Sequence, residues 1–363
     1  MDTSCKVGVK SAILNLRVQY QQKVSTMKVT LIGIDLAKNV FQVCGVNQAC
    51  KSVFNRALRR HQLMAFLAQY PDAIIAMEAC SGSNYWGRSL KAQGYQVRLI
   101  PPQHVKPFVK GNKNDRNDAF AICEAAYRPN IQFVEPRTLE QVDMMLAHRI
   151  RERQVDARTT LINQIRGLLN EYGIVIAQGK ESLKAALPDL IEDAENELTE
   201  RARVHFTLLH QEWSAIDEAI KSSEKDIKQQ AQASEGAKLL MQIKGIGEIT
   251  ATAVVSFAGN GSSYKNGRHF SANIGLVPKE HSSGGKQSLG GITKRGNRYL
   301  RKLLIQCAWS IIRHCKTAQD RLSVWVKTLI ERRGSHKSAV ALANKLARIV
   351  WAILFKKTEF RAV

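Results

Sequence analysis

Residues 29–46 have the sequence VTLIGIDLAKNVFQVCGV, which predicts two β-strands joined by a short connection. The strands are expected at Val29–Asp35 and Val40–Val46, because both runs are rich in β-branched and apolar residues. So few residues separate them that the two strands are predicted to be antiparallel neighbours. The first strand ends on an acid, Asp35, which makes that end of the strand a candidate site.

Strands and helices continue to alternate as far as about Glu135. Short apolar runs predict further strands, and amphipathic segments between them predict helices. The predicted elements are a helix at Arg59–Gln69, a strand at Ala73–Met77, a helix at Asn84–Gln93, a strand at Gln96–Ile100 and a helix at Asp118–Ala126. Alternation of this kind predicts an α/β domain with helices layered on a sheet.

The middle of the chain, from about Leu139 to Ala233, has an almost purely helical pattern. Apolar residues recur there at spacings of four and three, and Gly173 and Pro188 are predicted to separate two long helices. The predicted seam consists of Leu198, Ala202, His205, Leu209, Trp213, Ile216 and Ile220. An antiparallel coiled-coil hairpin is the favoured prediction, and an ordinary layer of a helical bundle fits the spacing about equally well.

The last part of the chain, from Gly236, is predicted to be helical with glycine-rich interruptions. The predicted fold class is therefore α/β plus all-α. Its predicted parts are an N-terminal extension at 1–26, an α/β domain at 27–137, a helical hairpin at 138–235 and a mainly helical domain at 236–363.

Charge is distributed unevenly along the chain. The 363 residues include 54 Lys and Arg against 31 Asp and Glu, a net charge of +23. Residues 236–363 alone hold 23 Lys and Arg against 5 Asp and Glu, a net charge of +18. A segment so basic repels itself unless a polyanion neutralises it, so nucleic acid is its expected partner.

The composition excludes several classes of protein. With 44% hydrophobic residues the chain can bury a core, so an intrinsically disordered protein is not expected. There is no run of about 18 apolar residues and no apolar leader, so neither a membrane segment nor a secretory signal is expected. Seven scattered cysteines without a CxxC pair predict neither a disulfide framework nor a zinc ribbon, and they favour a reducing cytoplasm.

Four carboxylates stand at positions that suggest one metal site. Asp35 ends the first strand, Glu78 follows a buried strand in AIIAMEACSG, and Asp115 and Asp118 lie three residues apart at the start of a helix. Residues three apart share a helix face, and an acid beside an apolar strand is costly to bury unpaired. Hard divalent cations prefer oxygen ligands, so the set predicts a site for Mg²⁺ or Mn²⁺. Taken singly, each acid could instead be a turn residue or a helix cap.

Two glycine-rich segments of the basic part could meet phosphates. IKGIGEITA, residues 243–251, has the pattern of a helix-hairpin-helix turn, with a tight helix–helix turn as the alternative. In HSSGGK, residues 281–286, Ser282 and Ser283 precede two glycines, where a nucleophile could meet a phosphate. On composition alone, a polar loop is the simpler interpretation of that second segment.

Basic residues near these segments are the expected contacts with nucleic acid. The predicted set is Lys244, Gly245, Gly247, Lys279, Lys286, Lys294, Arg295, Arg298, Arg301 and Lys302. Further basic residues could line RNA or DNA, although a solvated helix face is equally compatible with each: Lys110, Lys113, Arg149, Arg151, Arg153 and Arg166.

In combination, these motifs resemble the IS110 family of transposases, and within it the IS1111 branch related to the Piv DNA invertase. The similarity extends from Met27 to about Phe360. GIDLAK matches the first acidic motif of the family, MEACSGSNYW the second and NDRND the third. The resemblance places the family's DEDD tetrad on Asp35, Glu78, Asp115 and Asp118.

The same resemblance identifies a candidate nucleophile. IKGIGE and IGLVP stand where the family has IPGIG-like and GLTP-like motifs. The catalytic serine of the family follows the GLTP-like motif by a few residues and precedes a glycine. The spacing from Gly275 puts it at Ser283, with Ser282 one residue away as the alternative.

Membership of this family would imply a fold, a mechanism and partners. The implied fold is a RuvC-like domain of the RNase H type, a coiled coil, and a transposase domain with a catalytic serine. The implied reaction is metal-assisted attack of the serine on DNA phosphodiesters, through a covalent phosphoserine intermediate and a Holliday-like junction. The implied partners are double-stranded donor and target DNA, a guide non-coding RNA of the bridge or seek type, and a homotetramer built as a dimer of dimers, without a membrane. The implied location is the bacterial cytoplasm, at the nucleoid.

Two other functions fit parts of the same pattern. A metal-dependent nuclease that resolves DNA junctions would use the acids without a serine nucleophile. A non-catalytic scaffold for nucleic acid would use the basic segment alone. A covalent DNA–protein adduct distinguishes the recombinase from both.

Overall fold

A computed structural model describes residues 28–111, 114–315 and 319–360. The predicted extension at 1–26 and Lys113 lie outside the described residues. The chain divides into two units, and the division falls between Thr138 and Leu139. The first unit is mixed α/β, and the second is helical apart from one small hairpin.

A five-stranded sheet forms the centre of the first unit, in the order β3-β2-β1-β4-β5. The strands are β1 (Leu31–Asp35), β2 (Val40–Val46), β3 (Ser52–Arg59), β4 (Ile74–Glu78) and β5 (Val97–Ile100). β1 pairs antiparallel with β2, which pairs antiparallel with β3. On its other side β1 pairs parallel with β4, which pairs parallel with β5. The antiparallel pair predicted within residues 29–46 is therefore confirmed.

Helices cover both faces of this sheet. They are α1 (Leu63–Leu67), α2 (Ser83–Ala92), α3 (Pro102–Val105) and α4 (Asp115–Ala126). Ile32 and Ile34 of β1 belong to the core that includes residues of α2, whereas Leu31 belongs to the core with α4. Alternate residues of a strand face opposite sides, so a continuous apolar run is what a strand covered on both faces requires.

The helix predicted at Arg59–Gln69 is wrong in its first half. Strand β3 continues to Arg59, a 3-10 turn follows at Arg60–Gln62, and helix α1 begins only at Leu63. β3 is an edge strand whose side chains are exposed or half-buried. It therefore lacks the continuous apolar run from which a buried strand is predicted. Pairing with β2 supplies its stability instead.

The second unit contains nine described helices and the hairpin β6–β7. The helices are α5 (Leu139–Asn170), α6 (Lys180–Glu192), α7 (Glu200–Ala233), α8 (Glu235–Met241), α9 (Glu248–Ala258), α10 (Gly267–Asn273), α11 (Arg298–His314), α12 (Arg321–Arg333) and α13 (Ser335–Lys356). The hairpin strands are β6 (Pro278–Glu280) and β7 (Leu289–Ile292). The predicted break at Pro188 is wrong, because Pro188 lies inside α6. Leu183 and Leu187 on the preceding turn are fully buried and hold that helix on the core despite the lost amide.

The long helices α5 and α7 run antiparallel along each other. Arg151 donates to Glu224 at 2.6 Å and Arg158 donates to Asp217 at 3.0 Å, so residue numbers rise along one helix as they fall along the other. Lys184 of α6 binds the second oxygen of Asp217 at 2.8 Å. Burial alone would raise the pKa of Asp217, but the hydrogen bonds from Lys184 and Arg158 outweigh it and lower the pKa.

The buried stripe of α7 departs from the predicted seam at one position. Phe206 is 3% exposed, whereas its neighbour His205 points to solvent. Ala202, Phe206, Leu209 and Trp213 keep spacings of four, three and four. Burying a phenyl ring gains more free energy than burying an imidazole, which explains why Phe206 rather than His205 faces the core.

Helix α13 belongs to the core of the second unit. Its buried apolar residues are Ala339, Leu342, Ala343, Leu346, Ala347, Val350, Ile353 and Leu354. By length and composition alone this helix could cross a membrane, but half of its most apolar window is buried inside the protein. Burial of this extent is typical of a core helix.

A buried histidine joins three helices of the second unit. Nδ1 of His148, in α5, lies 3.0 Å from the hydroxyl of Tyr299, and Nε2 lies 2.9 Å from the hydroxyl of Thr252. Thr252 donates its own proton to the carbonyl of Glu248 at 2.7 Å, so it accepts from Nε2–H, and Nδ1 accepts from Tyr299. Burial, with a smaller effect from Arg151, lowers the pKa of His148 to about 4.

This histidine makes the stability of the protein dependent on pH. The unfolded chain takes up a proton on His148 near pH 6.5, whereas the folded protein resists protonation until about pH 4. The contribution is therefore complete above pH 6.5 and is lost as the pH falls towards 4, by about 3 kcal/mol in the free energy of unfolding. Urea unfolding at several pH values should show this loss. His148→Gln should flatten the profile between pH 6.5 and 4, whereas the same change at exposed His205 should leave it as steep as in the wild type.

Candidate active site

Three carboxylates meet at the end of strand β1. Asp35 is the last residue of β1, and Asp115 and Asp118 occupy the first turn of α4. One carboxylate oxygen of each lies within 4.8 Å of the others. Asp35 and Asp118 are half-buried and Asp115 is exposed. Three acids at this spacing repel one another, and their hard oxygen atoms are suitable ligands for a divalent cation that would offset the repulsion.

Close packing of α4 on β1 brings the acids together. Gly33 lies two residues before Asp35 in the strand. A Cβ atom at Gly33 would lie 2.6 Å from the carbonyl oxygen of Ala119 and 2.6 Å from Sγ of Cys123. No larger residue fits at this contact, so the glycine sets the distance between the strand and the helix.

Side-chain hydrogen bonds hold the first turn of α4 on the sheet. Asn114 caps the helix by accepting from the N–H of Asn117 at 2.8 Å, so α4 begins three residues earlier than predicted. Asn55 of β3 donates to the carbonyl of Arg116 at 2.9 Å, and Gln42 of β2 donates to Asn55 at 2.6 Å. Sequence reasoning missed these two amides because the strand that carries Asn55 was not predicted.

The fourth predicted acid, Glu78, ends strand β4, which lies beside β1. Glu78 is half-buried and is not one of the three described carboxylates that lie within 4.8 Å of one another. Burial, and then the charges of Glu78 and Asp35, raises the pKa of the Cys80 thiol. Ile34 of β1 pairs with Met77 of the parallel strand β4, so Asp35 and Glu78 follow at the same end of the sheet.

The two candidate serines lie in the hairpin between β6 and β7. The hydroxyl of Ser282 donates to the carboxylate of Glu280 at 2.7 Å and accepts from the N–H of Ser288 at 3.3 Å. Ser283 is exposed, and its hydroxyl makes no hydrogen bond with any residue in the described part of the chain. The two glycines that follow have φ of +55° and +76°, a conformation that glycine adopts without strain.

Close backbone packing fixes the base of this hairpin. Gly275 has φ +74°, and a Cβ atom there would lie 2.2 Å from the carbonyl oxygen of Arg295. Gly296 also has φ +74°, and its Cβ atom would lie 1.7 Å from the carbonyl oxygen of Asn273. Arg301, one of the predicted nucleic-acid contacts, donates to two backbone carbonyls at this base, at 2.9 and 3.0 Å. These contacts fix the base from which the hairpin with the two serines extends.

The predicted glycine turn at residues 243–251 joins α8 to α9. Gly245 has φ +85°, and a Cβ atom there would lie 2.7 Å from the side chain of Ile311. Gly247, just before α9, is exposed. The exposed cations of the predicted nucleic-acid set are Lys244, Lys279, Lys286, Lys294, Arg295, Arg298 and Lys302. By contrast, Arg166 of α5 is half-buried and donates to three backbone carbonyls of the protein itself.

Comparisons with known proteins agree on one class. Residues 32–174 match the DEDD model described as "Transposase", and residues 237–323 match "Transposase IS116/IS110/IS902 family". The chain is 42% identical, over 361 residues and 99% of both chains, to the transposase for insertion sequence element IS1111A of Coxiella burnetii. The transposase for insertion sequence element IS1328 of Yersinia enterocolitica is also 42% identical to the chain, over 334 residues. The match covers 92% of this chain and 98% of that transposase. A pilin gene-inverting protein of Moraxella bovis is 23% identical over 352 residues, which cover 92% of this chain and 98% of that protein.

The α/β unit, its acidic cluster and these similarities together define a transposase, an enzyme that cleaves and rejoins DNA. Enzymes with DEDD domains of this type are typically metal-dependent, and Asp35, Asp115 and Asp118 could hold a divalent cation. The chain belongs to the IS110 family of insertion-sequence transposases. The resemblance drawn from its motifs is thereby confirmed.

Proposed function

We propose that this transposase is an RNA-guided recombinase that uses Ser283 as its nucleophile. One observation carries the proposal: an exposed hydroxyl, without a hydrogen bond to the described residues, lies in a glycine-rich hairpin of a DNA-cleaving enzyme. A phosphate can approach a hydroxyl there without displacing a side chain. The neighbouring hydroxyl of Ser282 is already engaged by Glu280, which favours Ser283 of the two.

In the proposed reaction Oγ of Ser283 attacks a phosphorus atom of DNA. The Oγ–P bond forms as the bond from phosphorus to one deoxyribose oxygen breaks. The serine proton passes to a base, and the departing oxygen takes up a proton. The phosphoserine ester conserves the energy of the broken bond, so the strand can be joined to a new partner without ATP. Exchange of strands in this way passes through a Holliday-like junction.

The four acids are the proposed ligands of Mg²⁺ or Mn²⁺. Three of them lie together, and Glu78 ends the adjacent strand. A bound ion of this kind neutralises charge on a scissile phosphate and favours loss of a proton from an attacking hydroxyl. The acids would otherwise repel the DNA backbone, and the amides of Gln42 and Asn55 keep the helix that carries two of them in place.

Exposed cations near Ser283 are proposed to bind the phosphates of DNA. Lys279 and Lys286 flank the serine in the same hairpin and would stabilise the charge that develops on the phosphate. The resemblance to guided members of the family supports a guide RNA that pairs with donor and target DNA, so that base pairing supplies the sequence specificity. Such an enzyme would act in the bacterial cytoplasm, at the nucleoid.

Exposed apolar residues on the long helices support assembly from several copies. Leu146 and Ile150 of α5 are 55% and 40% exposed, and Val204 and Leu208 of α7 are 60% and 55% exposed. Each pair is four residues apart and therefore lies on one helix face. Apolar surface of this kind often marks a protein interface. We propose a homotetramer arranged as a dimer of dimers.

Recombination in vitro tests the guide. Purified protein is incubated with donor and target plasmids, with or without RNA transcribed from the non-coding DNA that flanks the reading frame. Recombinant product is expected only with that RNA, because without pairing the protein has no means to select its sites. An RNA of equal length and unrelated sequence is the control. Equal product from protein stripped of RNA would disprove guidance while leaving the serine chemistry open.

A further inference from the structure

A large groove in the second unit has a basic rim. Its volume is about 1650 Å³, and helix α13, the beginning of α10 and the β6–β7 hairpin contribute most of its lining. The cations that line it are Arg268, Lys294, Lys337, Lys345 and Arg348. Among the described residues that line it, none is Asp or Glu. Only Lys294 belongs to the contacts predicted from sequence.

The charge of this groove is not compensated within the protein. None of the five cations forms a salt bridge with a carboxylate in the part of the chain that the structure describes. The ammonium of Lys345 lies 4.1 Å from the centre of the Trp325 ring, and burial, followed by the charge of Arg348, lowers the pKa of Lys345. A concave surface with one sign of charge attracts a polyanion.

The floor of the groove is apolar and partly aromatic. Trp325, Ile349 and Trp351 contribute to it. The ring of Trp351 is fixed, because its Nε1 donates to the carbonyl of Gly261 at 3.0 Å and the ring stacks on Phe355. Flat apolar side chains beside cations suit unpaired bases, whose faces can contact the rings while the phosphates contact the rim. A duplex keeps its base faces stacked inside and would leave this floor uncovered.

We infer that the groove binds an unpaired strand of DNA. A cleaved strand that is rejoined to a new partner must first separate from its old complement, so this activity supplies an unpaired strand as the occupant. The α13 face between His336 and Ala352 rises about 24 Å, enough for about seven nucleotides at the spacing of a helical strand. Pro278 and residues 289–292, at the base of the hairpin that carries Ser283, form one wall, so a bound strand would lie along the base of the segment that carries the proposed nucleophile. The relation of the bound strand to Ser283 rests on the proposed function, whereas the binding of an unpaired strand in the groove does not.

Binding of fluorescent oligo(dT) of about 15 nucleotides tests the inference, since one nucleic-acid-binding fold covers up to roughly that length. The double variant Lys337→Glu/Arg348→Glu should weaken binding at least about ten-fold and reduce its salt dependence. Both side chains are exposed, so the fold should survive the change. The control is Arg332→Glu/Arg333→Glu, which makes the same charge change on exposed residues outside the groove. Its affinity should stay within about three-fold of the wild type.

Trp351→Leu separates base contacts from charge, because the Trp351 ring stacks on Phe355, whereas the Trp325 ring carries the ammonium of Lys345. It should weaken oligo(dT) binding about five-fold, the loss of roughly one stacking contact, without altering the salt dependence. Ser283→Ala should bind oligo(dT) as the wild type does, so failure of the serine mechanism and failure of the groove are distinguishable. Three results would overturn the inference: equal weakening by the control pair, tighter binding of the matching duplex, or tighter binding of oligo(U), which would make RNA the occupant.

Discussion

Ser283→Ala is expected to abolish the covalent adduct between protein and DNA and to reduce recombination by on the order of 10³-fold or more. Alanine removes the oxygen that forms the bond to phosphorus, and no other group can replace it in the same geometry. The hydroxyl is exposed and makes no hydrogen bond with the described residues, so its loss should not destabilise the hairpin. The adduct is measured by denaturing electrophoresis of a labelled DNA substrate after the reaction is stopped.

Ser282→Ala is the matched control for this result. The two serines are adjacent, and the control breaks only the contacts of Ser282 with Glu280 and Ser288. It should retain the adduct, with a modest loss of rate because the hairpin is less well ordered. The opposite pattern, with activity lost in Ser282→Ala and kept in Ser283→Ala, would move the nucleophile by one residue. Retention of activity in both would favour a metal-dependent nuclease.

Asp118→Asn is expected to reduce cleavage of DNA by on the order of 10³-fold, because loss of a metal ligand removes several kcal/mol of stabilisation from the transition state. Asparagine keeps the size of the side chain, so α4 should remain in place, and only the charge of the cluster with Asp35 and Asp115 changes. Cleavage is followed with Mg²⁺ and with Mn²⁺. Thermal unfolding with and without Mn²⁺ provides an independent readout, since the ion should stabilise the wild type and not the variant.

Asp72→Asn is the control for this second prediction, because Asp72 is an exposed acid of the same unit outside the cluster. It should cleave as the wild type does and keep its stabilisation by Mn²⁺. If Asp118→Asn cleaved DNA at the wild-type rate, the cluster would not be the metal site of the reaction. A variant that still cleaved but lost stabilisation by Mn²⁺ would assign the ion a structural role.

Elements with strong local signals were predictable from sequence. Strands β1, β4 and β5 are short apolar runs, and their positions agree with prediction to within two residues. Strand β3 was missed, because its stability comes from pairing with β2 and its side chains are largely exposed. Phe206, rather than His205, lies in the buried stripe of α7, because spacings of three and four leave neighbouring positions nearly equivalent.

The candidate site was predictable from sequence in part, because some of its residues have a strong local signal and others do not. Asp35, Asp115 and Asp118 stand at the ends of recognisable elements, and the structure brings them together. Long-range hydrogen bonds such as that from Asn55 to Arg116 have no local signal. The cations that line the groove do have a local signal in the sequence. Lys337, Lys345 and Arg348 are spaced by eight and three residues in a largely apolar helix, which places them on one face.

The isolation of the Ser283 hydroxyl has a consequence for the host cell. A serine without a hydrogen-bonded base is a poor nucleophile, and no described residue serves as that base through a hydrogen bond. If the proposed assembly supplies that base, a single copy of the protein that meets a chromosome by chance leaves its strands intact. The danger of carrying a DNA-breaking enzyme would then be limited by the rarity of its full assembly, and a host could tolerate steady synthesis of the protein between rare moves of the element.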